Sequence, residues 1–201
     1  MLLGSIILAG GQSERMGEPK EGLPFGDSTL LDRACSMLME CSHPVIVVAR
    51  DEKQELPPLP IEIDVHTDFE SDGGPLVGLV SGMRVVESKC DAVFVTACDM
   101  PFVTPRTIAA LADLLTDVDV VMPRLDDKLQ PLAAVYKTSI LPTAEKLVAA
   151  GERTPRALVE AVPSRVLEPA DLDSLGLGRE FLRNINTPEE YRDALRDAGQ
   201  G

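Results

Sequence analysis

Short runs of apolar residues recur along the chain and predict buried β-strands. They are bounded by glycine, proline or acidic residues, which commonly end strands. The predicted strands are residues 5–9, 45–49, 61–65, 92–97 and 118–122. The proline-rich residues 56–60 predict a connection that is not helical.

Apolar residues at helical spacing follow most of these runs and predict helices. One amphipathic pattern runs from residue 30 to about 41, and another follows Gly73-Gly74-Pro75. Thr104-Pro105 supplies an N-cap and a first-position proline for a helix through about residue 115. The same start signal recurs at residues 154–155 and 187–188, where Glu190 completes a capping box.

Alternation of strands and helices predicts an α/β fold. We expect a three-layer, Rossmann-like arrangement in which helices cover both faces of a mostly parallel sheet. Ligands of such sheets bind beyond the carboxyl ends of the strands. Residues 164–178 carry no clear periodicity, and we expect an irregular segment there.

Length and composition favour one globular domain spanning residues 1–201. The chain is 44% hydrophobic, and no run of about 18 apolar residues occurs. Residues 1–11 lack the basic flank and cleavage site of a signal peptide. We therefore expect a cytoplasmic protein that does not enter a membrane.

The formal net charge of −14 disfavours nucleic acid and anionic lipid as partners, since both bind through clustered Lys and Arg. The four cysteines form no CxxC pair, and the two histidines give no zinc-ligand spacing. Reduced cysteines that bind no metal are expected.

A glycine-rich loop follows the first predicted strand and is the strongest candidate for chemistry. It carries Gly10, Gly11, Arg15, Gly17 and Lys20 in that order. Glycines let backbone N–H groups approach an anion, and Arg15 and Lys20 add positive charge. The spacing fits neither GxGxxG nor GxxxxGK[ST]. A simple turn with solvated basic residues is the alternative, but the ordered set favours a triphosphate cradle.

Two acidic residues follow predicted strands and are candidates for ligand contacts. Asp99 comes directly after residues 92–97 and should face the glycine-rich loop. Mg²⁺ prefers one or two carboxylates together with phosphate oxygens, so Asp99 could bind it, although a turn or helix cap is the alternative. Asp68 lies among ordinary turn residues and could equally be a solvated charge.

These motifs together resemble the molybdenum cofactor guanylyltransferases and their nucleotidyltransferase relatives, over nearly the whole chain. The similar stretches are LAGG at 8–11, RMGxxK at 15–20, Asp68, GGPLVG at 73–78, CDMPF at 98–102, QPLAAVY at 130–136 and NINTP at 184–188.

The resemblance implies a nucleotidyltransferase-type fold and a set of site residues. Its nucleotide contacts would be Leu8, Ala9, Gly10, Gly11, Lys20, Asp68, Gly74, Pro75, Leu76 and Asp99. Asp99 would also bind Mg²⁺, and Arg15, Lys20 and Asp99 would be catalytic. Gln130, Asn184 and Asn186 would contact the pterin acceptor or make only local hydrogen bonds.

The implied reaction transfers GMP from GTP to the terminal phosphate of molybdenum-molybdopterin and releases pyrophosphate. Contacts with cofactor-synthesis enzymes or acceptor apoenzymes would be transient. Pro19, Gly22 and Arg50 depart from the family pattern, where Asp, an apolar residue and Asn are often found. A cytidylyltransferase and a non-catalytic nucleotide-binding adaptor remain as alternatives.

Overall fold

The structure is a computed structural model, and it describes residues 1–11, 16–70 and 73–199. A single large sheet forms its centre, and a two-stranded ribbon lies beside it. The strands are β1 (Leu3–Leu8), β2 (Pro24–Phe25), β3 (Ser28–Thr29), β4 (Val45–Ala49), β5 (Asp64–Thr67), β6 (Ala92–Ala97), β7 (Val120–Leu125), β8 (Lys128–Leu129), β9 (Ala133–Lys137) and β10 (Ser164–Leu167).

The large sheet is mostly parallel, as predicted. Its order is β10-β7-β9-β6-β1-β4-β5, with β8 paired to β7, and β2 pairs with β3 in the ribbon. Within the large sheet, β9 runs antiparallel to both of its neighbours. In register, Leu8 of β1 lies opposite Val48 of β4 and Ala97 of β6. These three residues therefore mark the carboxyl edge of the central strands.

Helices cover both faces of the sheet. They are α1 (Leu30–Met39), α2 (Pro75–Val86), α3 (Pro105–Ala112), α4 (Leu141–Ala149), α5 (Pro155–Ala161), α6 (Pro169–Ser174) and α7 (Pro188–Asp197). The strand residues alternate between two core clusters. Ile7 shares one with residues of α1 and α3, while Ile6 shares the other with residues of α2, α4 and α5. This is the expected three-layer arrangement.

A third, smaller cluster supports the region of the glycine-rich loop. Met16, Phe25 and Leu30 pack there with Ile185 and Ala194, so the residues after the loop rest on α1 and on α7. The predicted capping box of α7 is present: the side chain of Thr187 accepts from Glu190, and Glu190 accepts from Thr187.

Two local predictions were wrong. The third strand is residues 64–67 rather than 61–65, and it forms the edge of the sheet. Ile61 lies in the turn before it and is 97% exposed. The segment 164–178 is not irregular, since β10 completes the opposite edge beside β7 and α6 follows it. Glu168 and Asp171 form a capping box at the start of α6.

Among the described residues, no helix has both the length and the apolar character needed to cross a membrane.

Candidate active site

A cavity of about 400 Å³ opens at the carboxyl ends of the central strands. Leu8, Val48 and Ala97, the last or nearly last residues of three neighbouring strands, lie at its base. The other lining residues are Gly10, Gly11, Arg50, Asp68, Gly74, Pro75, Gly78, Asp99, Leu132 and Asn184. The glycine-rich loop and Asp99 thus face one another, as the sequence predicted.

Lys20 and Asp99 form an ion pair at this cavity. The Nζ atom of Lys20 donates to Oδ2 of Asp99 at 2.8 Å and to Oδ1 of Asn186 at 2.8 Å. The Lys20 and Asp99 side chains are only 14% and 16% exposed. Because the pair is largely shielded from water, its charges act on a bound ligand with less screening than surface charges would.

The segment before α7 holds Asn186 in place. The N–H of Ile185 donates to the carbonyl of Asp99 at 2.9 Å, which ties the segment to the end of β6. The N–H of Asn186 donates to Oε2 of Glu190 at 2.7 Å. The motif NINTP therefore brings an amide oxygen to Lys20 from a distant part of the chain.

Asp68 lies on the other side of the cavity, directly after β5. Its N–H donates to the carbonyl of Ala49 at 2.9 Å, and this bond extends the pairing of β4 with β5 by one step. Its Oδ1 atom is buried and accepts no hydrogen bond from the residues that the structure describes. Burial raises the pKa of the Asp68 carboxyl to about 6, against a smaller lowering by a hydrogen bond from Ser81.

Gly78 of α2 provides space beside Asp68. A Cβ atom at this position would lie 3.1 Å from Cδ2 of Leu8 and 3.5 Å from Oδ1 of Asp68. The missing side chain therefore keeps one wall of the cavity open next to the buried carboxylate oxygen.

Most of the predicted nucleotide contacts line the cavity or touch a residue that does. Leu8, Gly10, Gly11, Gly74 and Pro75 line it together with both aspartates. The side chains of Ala9 and Leu76 do not, because each is buried in a core cluster on one face of the sheet. Arg15 lies outside the described residues.

The family described as MobA-like NTP transferase domain matches residues 5–166, which include every cavity residue except Asn184. The chain belongs to this family. As a MobA-like transferase it is a nucleotidyltransferase, and the ion pair and the glycine-rich loop lie at the edge of the sheet where α/β proteins bind their ligands.

Curated relatives cover nearly the whole chain. A probable molybdenum cofactor guanylyltransferase from Carboxydothermus hydrogenoformans is 30% identical over 94% of this chain and 93% of its own length. Another from Mycolicibacterium paratuberculosis is 34% identical over 96% of this chain and 94% of its own length.

Solved structures share the fold. Molybdopterin-guanine dinucleotide biosynthesis protein A from Archaeoglobus fulgidus superposes with a TM-score of 0.79 at 22% identity, covering 98% of this chain and 100% of that one. A nucleotidyl transferase from Methanothermobacter gives a TM-score of 0.72 at 18% identity, covering 98% and 99%. Both confirm the nucleotidyltransferase-type fold.

Sequence reasoning about this MobA-like transferase missed several residues at the site. Val48 and Ala97 could have been found from the rule that strand ends line such cavities. Glu21 and Gln54 gave no signal, because they stand among charged residues that look solvated. The structure buries Glu21 and places Gln54 against it.

The three residues that the resemblance offers as contacts to the pterin acceptor have different surroundings in the structure. Asn184 lines the cavity and donates to the carbonyl of Leu182 over 3.4 Å. Gln130 does not line it, and its amide donates to the carbonyl of Lys128 beside the β7–β8 turn. The structure therefore gives Gln130 a local hydrogen bond, while Asn186 bonds Lys20.

Proposed function

We propose that the chain transfers GMP from GTP to the terminal phosphate of molybdenum-molybdopterin. A phosphate oxygen of the acceptor attacks the α-phosphorus of GTP, and the bond between the α-phosphorus and the bridging oxygen breaks. The products are molybdopterin guanine dinucleotide and pyrophosphate. The curated relatives named for this activity support the proposal.

The observation that carries the proposal is the placement of two different kinds of polar group along one cavity. One end has the Lys20–Asp99 pair and the glycines that follow β1, which suit a triphosphate. The other end has the carboxyl group of Asp68, which lines the cavity and, when ionised, suits a hydrogen-bond donor on a base. A nucleoside triphosphate has both features.

Asp68 favours guanine over adenine and cytosine. A carboxylate only accepts hydrogen bonds, and guanine presents two adjacent donors, N1–H and the N2 amino group, on one edge. Adenine and cytosine present one amino donor beside a ring nitrogen that can only accept. Donors on guanine would offset part of the cost of holding this partly buried carboxylate at the cavity.

The donor set at Asp99 fits Mg²⁺. The described residues contain no group of three or more His, Cys, Asp or Glu that could hold a metal ion by themselves. Mg²⁺ commonly uses one or two carboxylates and takes its other ligands from substrate phosphates and water, so Asp99 alone is a suitable protein ligand. When bound there, Mg²⁺ would neutralise charge on the triphosphate and the leaving pyrophosphate.

The residues at the site would act by alignment and charge neutralisation rather than by proton transfer. A phosphomonoester has a second pKa of about 6, so the acceptor is already mostly dianionic near neutral pH and needs no strong base. Lys20, Arg15 and the N–H groups of Gly10 and Gly11 would offset negative charge on the phosphates. Asn186 would orient Lys20 through its 2.8 Å hydrogen bond.

We further infer a single catalytic domain in the cytoplasm, with transient contacts to enzymes that make or receive the cofactor. The formal net charge of −14 supports small-molecule substrates rather than nucleic acid.

Thermal unfolding with GTP, CTP, ATP and UTP, each with and without Mg²⁺, tests the proposal. A ligand at about 100 times its dissociation constant stabilises the folded state by roughly 2.7 kcal/mol. GTP with Mg²⁺ should raise the melting temperature most. A response selective for CTP would replace GTP with CTP as the donor, and no response to any nucleotide would contradict the proposal.

A further inference from the structure

Gln54 joins the two ends of the glycine-rich loop. Its Nε2 atom donates to the carbonyl of Ala9 at 2.7 Å and to Oε1 of Glu21 at 2.6 Å. Its Oε1 atom accepts from the N–H of Arg50 at 2.7 Å. Ala9 immediately precedes Gly10, and Glu21 immediately follows Lys20, so one side chain spans the start and the end of the phosphate-binding segment.

The orientation of the Gln54 amide is fixed by its partners. The Ala9 carbonyl can only accept a hydrogen bond, and the Arg50 N–H can only donate one. Both Nε2 protons and the Oε1 atom are therefore used at the same time. No acid or apolar side chain at position 54 could make the same three bonds.

Glu21 makes this arrangement important, because its carboxylate is withdrawn from water. The residue is only 5% exposed, and a buried carboxylate is costly unless it accepts hydrogen bonds. Gln54 supplies one of these bonds. This hydrogen bond therefore ties the short helical turn 20–22, which contains Lys20, to Gln54.

Gly10 provides a second, independent link at the same place. A Cβ atom on Gly10 would lie 3.2 Å from Cβ and 3.3 Å from Cα of Arg50. The start of the loop thus rests directly on the backbone of Arg50, and the Arg50 N–H is held by Gln54.

We propose that Gln54, through its bonds to Ala9, Glu21 and Arg50, is a positioning residue that sets the spacing between the loop glycines and Lys20 for binding the nucleotide phosphates. This inference rests on the proposed function, since it requires that the loop bind a triphosphate. Gln54 does not line the cavity, and it acts through Ala9, Gly10 and Lys20. Fixing such groups matters because a shift of about 1 Å in a positioned group can cost 10²-fold in rate.

The test compares dissociation constants for guanosine and GTP in the presence of Mg²⁺, measured by titration calorimetry. The dissociation constant for guanosine divided by that for GTP reports how much the phosphates contribute to binding. Gln54→Met keeps a side chain of similar length and removes all three hydrogen bonds. It should lower the ratio by about tenfold and change the dissociation constant for guanosine only slightly. Gln54→Glu keeps an acceptor for Arg50, loses both donors and should also lower the ratio. It replaces Gln54→Met in the test if that variant does not fold.

Three further variants separate positioning from stability. Ser42→Ala removes buried hydrogen bonds to Ser5, in the first half of β1, and to the Leu38 carbonyl, and it should lower the melting temperature without changing the ratio. Glu21→Leu should lower the ratio as Gln54→Met does, whereas Glu21→Gln keeps an acceptor oxygen for Gln54 and should restore most of it.

The outcomes distinguish this inference from the function on which it rests. An unchanged ratio in Gln54→Met or Gln54→Glu, with GTP binding intact in the wild type, would overturn the role of Gln54 alone. An equal fall in Ser42→Ala would also overturn it, since any loss of stability would then suffice. A wild type that binds no GTP would overturn both the proposed function and this inference.

Discussion

The Nζ atom of Lys20 lies 2.8 Å from Oδ2 of Asp99, although 79 positions separate the two residues in the chain. Lys20 ends the glycine-rich loop and begins a short helical turn, and Asp99 follows the central strand β6. The fold therefore brings the predicted phosphate-binding cation and the predicted metal-binding carboxylate to one point. The predictions below test what each does there.

Replacing Lys20 with Met should lower kcat/KM for GTP by about 10²- to 10³-fold, the usual loss when one charge-stabilising donor is removed. Steady-state pyrophosphate release measures this. Lys137→Met is the matched control, because Lys137 pairs with Asp119 at 3.3 Å outside the cavity. A Lys20→Met enzyme within threefold of the wild type would contradict a role in phosphate binding.

Asp99→Asn should weaken the response to Mg²⁺. The substitution keeps the size of the side chain and removes the charge that a hard divalent cation prefers. We expect the Mg²⁺ concentration for half-maximal stabilisation by GTP to rise at least about tenfold, measured by thermal unfolding at fixed GTP. The control is Asp119→Asn, which also removes one partner of a lysine ion pair. Equal Mg²⁺ dependence in Asp99→Asn and the wild type would exclude Asp99 as a ligand.

The affinity for guanosine should depend on pH through Asp68. Its carboxyl has a pKa of about 6, and only the ionised form can accept from two guanine donors. The dissociation constant should be constant above pH 6 and rise by about tenfold for each unit below it. Calorimetry with guanosine between pH 5 and 8 would measure this without the phosphates, which also titrate near pH 6, and Asp68→Asn should bind guanosine weakly with a flat profile over that range.

The same group gives a stability prediction of definite sign. The folded pKa of about 6 lies above the ordinary value of 3.8, so the folded state holds the proton more tightly than the unfolded state. The contribution of Asp68 to the free energy of unfolding is thus greatest below pH 3.8, falls between pH 3.8 and 6, and is constant above pH 6. Denaturant unfolding of Asp68→Asn should show a smaller fall over this interval; an unchanged pH dependence would contradict the assignment.

Two glycines one turn apart on α2 should respond in opposite ways to substitution by alanine. Gly78→Ala places a methyl group 3.1 Å from Leu8 at the cavity, where it should weaken GTP binding while helix propensity gains up to about 1 kcal/mol. Gly82→Ala places one 2.7 Å from the buried Ile6 and should cost about 1–3 kcal/mol of stability, leaving GTP affinity intact. Chemical denaturation would measure the stability of both variants, and calorimetry their GTP affinity. The same effects in both variants, or the two effects exchanged between them, would contradict the prediction.

The central strands could be predicted from sequence because their signal is local. Residues 45–49 and 92–97 are continuous apolar runs, and they are the strands observed. The edge strand β5 was placed wrongly, since it is mostly exposed and therefore lacks the apolar run that burial demands. The strand β9 was not predicted, although its residues 133–136 are a buried apolar run. Its antiparallel pairing with β6 and β7 is a tertiary feature that the run does not encode.

The site residues with a local motif could also be predicted, and those that meet only through tertiary contacts could not. Gly10, Gly11, Lys20 and Asp99 stand in motifs next to strand ends, so their meeting could be predicted from the topology of a parallel sheet. The bond from Lys20 to Asn186 spans 166 positions, and the bond from Gln54 to Glu21 joins two residues with no recognisable spacing. Such contacts depend on how loops fold back over the sheet, which periodicity does not encode.

Guanylyl transfer itself is the most direct measurement. The purified protein would be incubated with GTP, Mg²⁺ and molybdenum-molybdopterin, and molybdopterin guanine dinucleotide and pyrophosphate would be quantified by chromatography. We predict that both products form in equal amounts, with GTP strongly preferred over CTP, and that Lys20→Met and Asp99→Asn reduce both together. GTP binding without either product would contradict the transferase assignment and would favour a protein that only carries the nucleotide.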